Sequence, residues 1–101
     1  MRELAREQLL KELRELRPQF ERGGVTHLTL FGSRARGDHG PDSDIDLMIE
    51  VDDTKPFSML KMVGIGHIVE DHTGLPANIF MRRSLDESFV RATRTDLVQV
   101  F

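Results

Sequence analysis

The chain has 101 residues, which is enough for one small domain but too few for a catalytic domain plus a separate recognition domain. Its 17 acidic and 14 basic residues give a net charge of −3, which argues against tight binding to a nucleic-acid backbone. The absence of cysteine excludes disulfides, thiolate metal sites and thiol nucleophiles. Because no run of about twenty apolar residues occurs and residues 1–8 lack the apolar centre of a signal peptide, we expect a cytoplasmic protein with no membrane partner.

Helical and strand patterns alternate along the chain. The first predicted helix, Arg2 to Arg17, begins an apolar stripe with spacings of three and four, formed by Ala5, Leu9, Leu13, Leu16 and Phe20. Pro18 and the pair Gly23–Gly24 are expected to end this helical region. The later predicted helices are Ser33–Arg36, a helix from Pro56 toward His72 capped by Gly74, and a helix opened by a capping box at Ser84–Glu87.

Four segments have the composition or alternation of strands: Val25–Phe31, Ile45–Val51, Pro76–Met81 and Leu97–Phe101. The apolar residues at the start of the third helix are expected in the core, and they are Phe57, Met59, Leu60, Met62 and Val63. No linker or internal repeat separates these elements. We therefore predict one domain of the α/β (α+β) class that spans residues 1–101.

Asp44 and Asp46 stand at the start of the second predicted strand. Residues two apart in a strand point to the same side, so the two carboxylates should meet while Ile45 and Leu47 face the core. A pair of unpartnered carboxylates is costly to bury, and a divalent cation would offset that cost. Magnesium is usually held by one or two carboxylates together with substrate phosphates.

The pair Gly32–Ser33 supplies the complementary phosphate-binding turn. A glycine permits close approach of the backbone, and the N-terminus of the following short helix offers free N–H groups to an anion. Arg34 and Arg36 add positive charge nearby, although either could equally be an ordinary surface residue. Together, the turn and the carboxylates predict a site for a metal-bound nucleotide.

These residues resemble the signature of the nucleotidyltransferase superfamily that shares the DNA polymerase β palm fold. The match consists of Gly32–Ser33, ten intervening residues and then Asp44-Ile45-Asp46. The strings GSRARG and SDIDLMIE are most similar to minimal nucleotidyltransferases, many of which are antitoxins paired with HEPN-domain toxins. The resemblance extends from the helix before Val25 to RRSL at Arg82–Leu85. It implies a palm-type mixed β-sheet with helices packed mainly on one face.

The resemblance also implies roles for individual residues. Gly32, Ser33 and Arg36 would bind the nucleotide, and Asp44 and Asp46 would be catalytic ligands of Mg²⁺ or Mn²⁺. ATP would be the substrate, and its AMP group would pass to a hydroxyl of a small helical HEPN-type toxin. Self-association into a homo-oligomer is a second possible assembly.

One position departs from the family pattern. Catalytic members carry a third carboxylate on a later strand, and the alignment of GLPANIFMRRSL places Asn78 there. An amide can offer an oxygen to a cation, but it has no charge and cannot accept a proton as a carboxylate does. Glu70, Asp71 or Asp86 could replace the missing acid.

Two classes of function therefore stay open. The first is an enzyme that transfers AMP to a partner protein, and the second is a toxin-binding or nucleotide-binding module with weakened catalysis. The acidic segment could also be a solvated turn. A calcium loop starting at Asp42 is disfavoured, because the position after Asp46 holds Leu47 instead of glycine.

Overall fold

A computed structural model describes residues 4–40 and 43–101 of the chain. The helices of this part are α1 (Arg6–Glu15), α2 (Arg17–Arg22), α3 (Ser33–Arg36), α4 (Met59–Thr73) and α5 (Glu87–Thr93). The strands are β1 (Val25–Phe31), β2 (Ile45–Val51), β3 (Ala77–Met81) and β4 (Val98–Gln99). Short 3-10 turns at Arg82–Ser84 and Arg94–Asp96 flank α5. Within the described residues, no helix is both long enough and apolar enough to cross a membrane.

The strands form one mixed sheet in the order β3-β2-β1-β4. Strand β1 is antiparallel to both β2 and β4, whereas β2 and β3 run parallel. A parallel pair needs a long crossover, and α4 provides it between β2 and β3. The predicted mixed sheet of an α+β fold is confirmed.

The core lies between α1, α2 and α4 and one face of the sheet. Its fully buried members include Leu9, Leu13, Phe20, Leu28, Leu30, Ile45, Leu47, Ile49 and Val69. The alternation of β2 explains this arrangement, because Ile45, Leu47 and Ile49 point toward these helices. Burial of these apolar side chains is the main stabilising contribution to the fold.

The first predicted helix is divided in two. It begins at Arg6 and not at Arg2, since Ala5 has extended backbone angles and is the exposed N-cap residue of α1. Arg2 itself lies outside the described residues. Leu16 separates α1 from α2, and Pro18 lies in the first turn of α2 instead of ending a helix. Proline fits there because first-turn N–H groups have no partner within the helix.

Helix α4 starts later than predicted. Ser58 is its N-cap, and the Ser58 hydroxyl oxygen accepts a hydrogen bond from the Lys61 N–H at 3.2 Å, so Pro56 precedes the helix. The predicted cap at Gly74 is confirmed, with a left-handed φ of 75°.

The core prediction for the start of α4 is only partly correct. Phe57 and Met62 are partly buried against the core. Met59, Leu60 and Val63 were expected there but are 75%, 79% and 50% exposed. A helix that packs on a sheet buries only one side, and no described segment covers the other side of α4.

The C-terminal elements also differ from the prediction. Ser84 ends a 3-10 turn, so Asp86 is the N-cap of α5 and accepts a hydrogen bond from the Ser88 N–H at 2.7 Å. The capping box from Ser84 is therefore wrong. The predicted terminal strand shortens to β4, although the Val100 N–H still donates to the Leu28 carbonyl at 2.8 Å.

Candidate functional site: two aspartates, an amide and a glycine turn

Gly32 joins β1 to the short helix α3. Its φ of 76° and ψ of −160° lie in a region that only glycine adopts readily. A Cβ at this position would lie 2.5 Å from Oδ2 of Asp46. The backbone of the turn is therefore packed directly against the Asp46 carboxylate, and a larger residue would displace it.

Asp44, Asp46 and Asn78 meet on the sheet face opposite the main core. The parallel register of β2 and β3 pairs Asp46 with Asn78, and the antiparallel register pairs Asp46 with Phe31 of β1. The Asn78 Nδ2 donates to Asp44 Oδ2 at 3.0 Å and to Asp46 Oδ1 at 3.1 Å. The Asn78 amide nitrogen thus lies within hydrogen-bonding distance of both aspartates.

The donor set fits a hard divalent cation of the Mg²⁺ or Mn²⁺ type. Two carboxylates are the kind of ligand that such ions prefer, and the Asn78 amide oxygen would be a third if the amide turned that oxygen toward them. No group of three or more histidine or acidic side chains that could hold a metal occurs within residues 4–40 and 43–101. With Asn78 as the third side chain, the site has two charged groups, Asp44 and Asp46.

The acidic residues considered as replacements for the third carboxylate have other surroundings. Glu70 comes closest to the site, and its Oε2 accepts a hydrogen bond from the Ala77 N–H at 3.1 Å. Asp86 caps α5, and Asp71 lines a depression beside Leu16 of the α1–α2 junction. Within residues 4–40 and 43–101, none of the three joins Asp44 and Asp46 in a group of acidic side chains that could hold a metal.

Arg34 is a structural residue. Its side chain is 1% exposed, and the guanidinium donates to the carbonyls of Ser43 at 2.9 Å and Leu4 at 3.3 Å. Burial lowers the pKa of Arg34, while the nearby charge of Asp44 acts in the opposite direction. Arg34 is therefore neither a surface charge nor an open phosphate ligand, and it holds the backbone of Ser43, the residue directly before Asp44.

Arg36 is exposed but engaged. Its Nε contacts Asp38 Oδ2 at 3.1 Å and its Nη1 contacts Asp96 Oδ2 at 3.2 Å. These hydrogen bonds raise the pKa of the Arg36 guanidinium above its ordinary value. A role in nucleotide binding stays a prediction, and it would require the guanidinium to leave at least one of these partners.

An aromatic cluster beside the site was missed from the sequence. The ring of Phe31 contacts Phe80 with centroids 5.4 Å apart and Phe89 with centroids 5.9 Å apart, both edge to face. Phe89 belongs to α5, so this helix partly covers the face that carries the aspartates. The registers of β1 with β2 and of β2 with β3 place Phe31 and Phe80 on the face that carries Asp46, and nothing local in the sequence placed α5 there.

A groove of about 370 Å³ runs between α4 and β3 and reaches Asn78. Its lining combines apolar residues with two titratable ones, His67 and Glu70, whose side chains approach within 3.7 Å. The groove therefore extends from the exposed apolar side of α4 to Asn78 on the edge strand.

A glycine turn beside paired carboxylates on a mixed sheet is the arrangement that the resemblance to nucleotidyltransferases implies. The comparison with known families agrees, since the model of the nucleotidyltransferase domain matches residues 6–99. The chain belongs to this family. The resemblance carried by Gly32–Ser33 and Asp44-Ile45-Asp46 is thereby confirmed.

Individual relatives are consistent with this membership. The chain is 31% identical over 87 residues to the protein adenylyltransferase MntA of Thermococcus cleftensis, with 86% of this chain and 83% of that protein covered. A solved structure of a proposed minimal nucleotidyltransferase has a TM-score of 0.79 at 23% identity and covers 97% of this chain and 98% of its own. A complex of a tri-AMPylated Shewanella oneidensis HEPN toxin with an MNT antitoxin has a TM-score of 0.66 at 12% identity, covering 92% of this chain and 71% of the matched chain.

Proposed function

We propose that the protein transfers the AMP group of ATP, with the help of Mg²⁺ or Mn²⁺, to a hydroxyl group on a partner protein. The observation that carries this proposal is the convergence of Asp44 and Asp46 on one amide nitrogen of Asn78, directly beside the Gly32 turn. The name of the Thermococcus cleftensis relative supports a protein acceptor and an adenylyl group.

The proposed reaction is a single displacement at phosphorus. The acceptor oxygen bonds to the α-phosphorus, the bond to pyrophosphate breaks, and the hydroxyl proton is released. Gly32 and Ser33 would hold the phosphates through backbone N–H groups, and Asp44 and Asp46 would hold the cation. A bound cation would supply charge neutralisation at the phosphate oxygens.

We further propose that the acceptor is a HEPN-type toxin in the cytoplasm and that this protein is its antitoxin. The AMPylated toxin in the Shewanella oneidensis complex supports this assignment. The exposed apolar side of α4, formed by Met59, Leu60 and Val63, offers a surface for such a partner. Because the groove along α4 reaches Asn78, a protein bound there would be adjacent to the proposed catalytic site.

The second candidate function is toxin neutralisation by contact, with little catalysis. Asn78 favours this alternative because it supplies no third negative charge for a second cation near the acceptor oxygen. The loss of one well-placed electrostatic group commonly costs on the order of a hundredfold in rate. The alternative keeps nucleotide binding and abolishes or slows transfer.

Nucleotide binding is tested by thermal unfolding. Magnesium and ATP together should raise the melting temperature, whereas each alone should have a weak effect, because only the complex engages both the turn and the carboxylates. The Asp44→Asn/Asp46→Asn variant should lose the joint effect. Asp71→Asn is the matched control, since it makes the same chemical change at an exposed residue away from the site. A shift that is independent of magnesium would contradict the proposed site.

Transfer is tested with α-labelled ATP, magnesium and a purified HEPN-domain protein from the source organism. Covalent label on that protein supports the enzyme, and a stable complex without label supports the binding module. Asn78→Asp should increase transfer if the missing charge limits the rate. Strong wild-type activity that Asn78→Asp leaves unchanged would show that another acid, such as Glu70, performs this role.

A further inference from the structure

The Asn78 amide connects the two carboxylates of the site. Its Nδ2 carries two hydrogens, and the two hydrogen bonds to Asp44 and Asp46, at 3.0 and 3.1 Å, use one hydrogen each. Since carboxylate oxygens accept hydrogen bonds and repel another acceptor, only the nitrogen end of the amide can face them. We refer to these two hydrogen bonds as the amide clamp.

The amide clamp presents partial positive charge to the two carboxylates, as a bound cation would. The partially positive NH₂ group lies between two carboxylates that would otherwise repel each other. A cation held by Asp44 and Asp46 would draw on the same two carboxylates that accept the clamp hydrogen bonds through Oδ2 of Asp44 and Oδ1 of Asp46. The positively polarised NH₂ group and a cation would therefore compete for one pair of carboxylates.

We propose that the Asn78 amide hinders the binding of free divalent cations to Asp44 and Asp46. It releases the two carboxylates only when the cation arrives together with the nucleotide. This inference rests on the proposed function, because it assumes that Asp44 and Asp46 are the cation ligands. Asn78 is an exposed residue on the edge strand β3, so its amide can rotate without disturbing the core. Rotation would turn the amide oxygen, which is a suitable ligand, toward the site.

The clamp makes cation binding and nucleotide binding cooperative. A free cation must break the two hydrogen bonds of the clamp, and in return it gains contacts only with the side chains of the site. A cation that carries a triphosphate brings additional contacts with the glycine turn, and these offset the loss of the clamp. Each ligand should therefore raise the affinity of the other by the same factor.

The test measures Mn²⁺ binding without nucleotide, by calorimetry and by paramagnetic resonance, in the wild type and in Asn78→Ala. If the clamp competes with the cation, Asn78→Ala should bind Mn²⁺ about tenfold more tightly, a conservative expectation for the loss of two charge-assisted hydrogen bonds. If Asn78 is instead an ordinary ligand, its removal should weaken Mn²⁺ binding. Unchanged or weaker Mn²⁺ binding by Asn78→Ala would overturn the proposal that the clamp competes with the cation.

Two further variants separate this inference from the proposed function. Asp44→Asn/Asp46→Asn should abolish Mn²⁺ binding in the presence of a non-hydrolysable ATP analogue. If this loss occurs but Asn78→Ala gains no affinity, the proposed site stands and the clamp is wrong. If no variant binds Mn²⁺ even with the analogue, both are wrong. Gln99→Ala, at an exposed position on β4 at the opposite edge of the sheet, is the control for unrelated polar truncation.

A measurement on the wild type makes the test independent of variant folding. The side-chain ¹⁵NH₂ resonances of Asn78 should report the two hydrogen bonds in the cation-free protein. Diamagnetic Mg²⁺ alone should leave these resonances nearly unchanged, whereas Mg²⁺ with the ATP analogue should shift them strongly as the amide turns. Equal shifts with Mg²⁺ alone and with Mg²⁺ plus the analogue would contradict the proposed coupling.

Discussion

Replacement of Gly32 by alanine should disturb both the stability and the carboxylate site. The backbone at Gly32 has φ 76° and ψ −160°, which strains any other residue. The added methyl would lie 2.5 Å from Oδ2 and 3.3 Å from Cγ of Asp46. Because real Cβ atoms do not approach other atoms so closely, the Asp46 carboxylate must leave its present position, which disrupts its hydrogen bond with the Asn78 amide.

The magnitude follows from two contributions. Backbone strain costs about 1–3 kcal/mol, and the broken hydrogen bond to a charged acceptor adds about 1.5–3 kcal/mol. Gly74→Ala is the matched control, because its φ of 75° is also left-handed while no atom lies within 4 Å of the new Cβ. The control should therefore lose only about 1–2 kcal/mol. A difference of about 2 kcal/mol between the two variants corresponds to about 8–16 °C in melting temperature.

The assay is urea and thermal unfolding of both variants, each with and without magnesium and ATP. Gly32→Ala should also lose the stabilisation by ligand, whereas Gly74→Ala should keep it. Asp46→Ala removes Oδ2 and Cγ, so a double-mutant cycle with Gly32→Ala should show that most of the added cost depends on Asp46. Equal destabilisation by the two glycine replacements, with no coupling to Asp46, would refute the steric argument.

Three further perturbations test other contacts. Arg34→Met should cost about 1–3 kcal/mol of stability by urea unfolding, because the buried carbonyl of Leu4 and the partly buried carbonyl of Ser43 lose their donor; a neutral effect would show that these carbonyls bind water instead. Hydrogen bonds from the Ser88 hydroxyl and N–H lower the pKa of the Asp86 carboxyl in the folded protein. The ionised Asp86 therefore stabilises the fold above the pKa of the unfolded chain, and this stabilisation is lost as the pH falls through the lower folded pKa. Asp86→Asn should thus flatten the acid limb of a stability-against-pH curve followed by circular dichroism, and an unchanged curve would contradict this. Leu60→Asp should weaken the complex with the HEPN protein in a pull-down, whereas Gln19→Asp, at an exposed position on α2, should not. An equal effect of both substitutions would exclude the exposed side of α4 as the binding surface.

The local features of the site could be predicted from the sequence because they depend on short-range rules. Strand alternation places Asp44 and Asp46 on the side opposite Ile45 and Leu47, and this holds whatever strand lies beside β2. The glycine turn follows from the need for a backbone conformation that other residues avoid. Resemblance to the family then allowed Asn78 to be aligned with the third carboxylate.

Other features required the tertiary structure, since they depend on which segments cover one another. The amphipathic pattern identified α4, but only the packing of the sheet shows that Met59 and Leu60 face outward. Arg34 carries the same side chain as Arg36, yet the first is enclosed by Leu4 and Ser43 and the second lies at the surface. Burial of this kind arises from contacts distant in the chain, which a local pattern does not encode.

The orientation of the Asn78 amide is the clearest case of this division. The sequence determined that position 78 carries an uncharged amide, where the resemblance to the family implies a carboxylate. The parallel register of β2 and β3 decided that its nitrogen reaches both aspartates at hydrogen-bonding distance. Residue type fixes which groups can donate or accept, whereas the pairing of strands separated by more than thirty residues fixes where those groups meet.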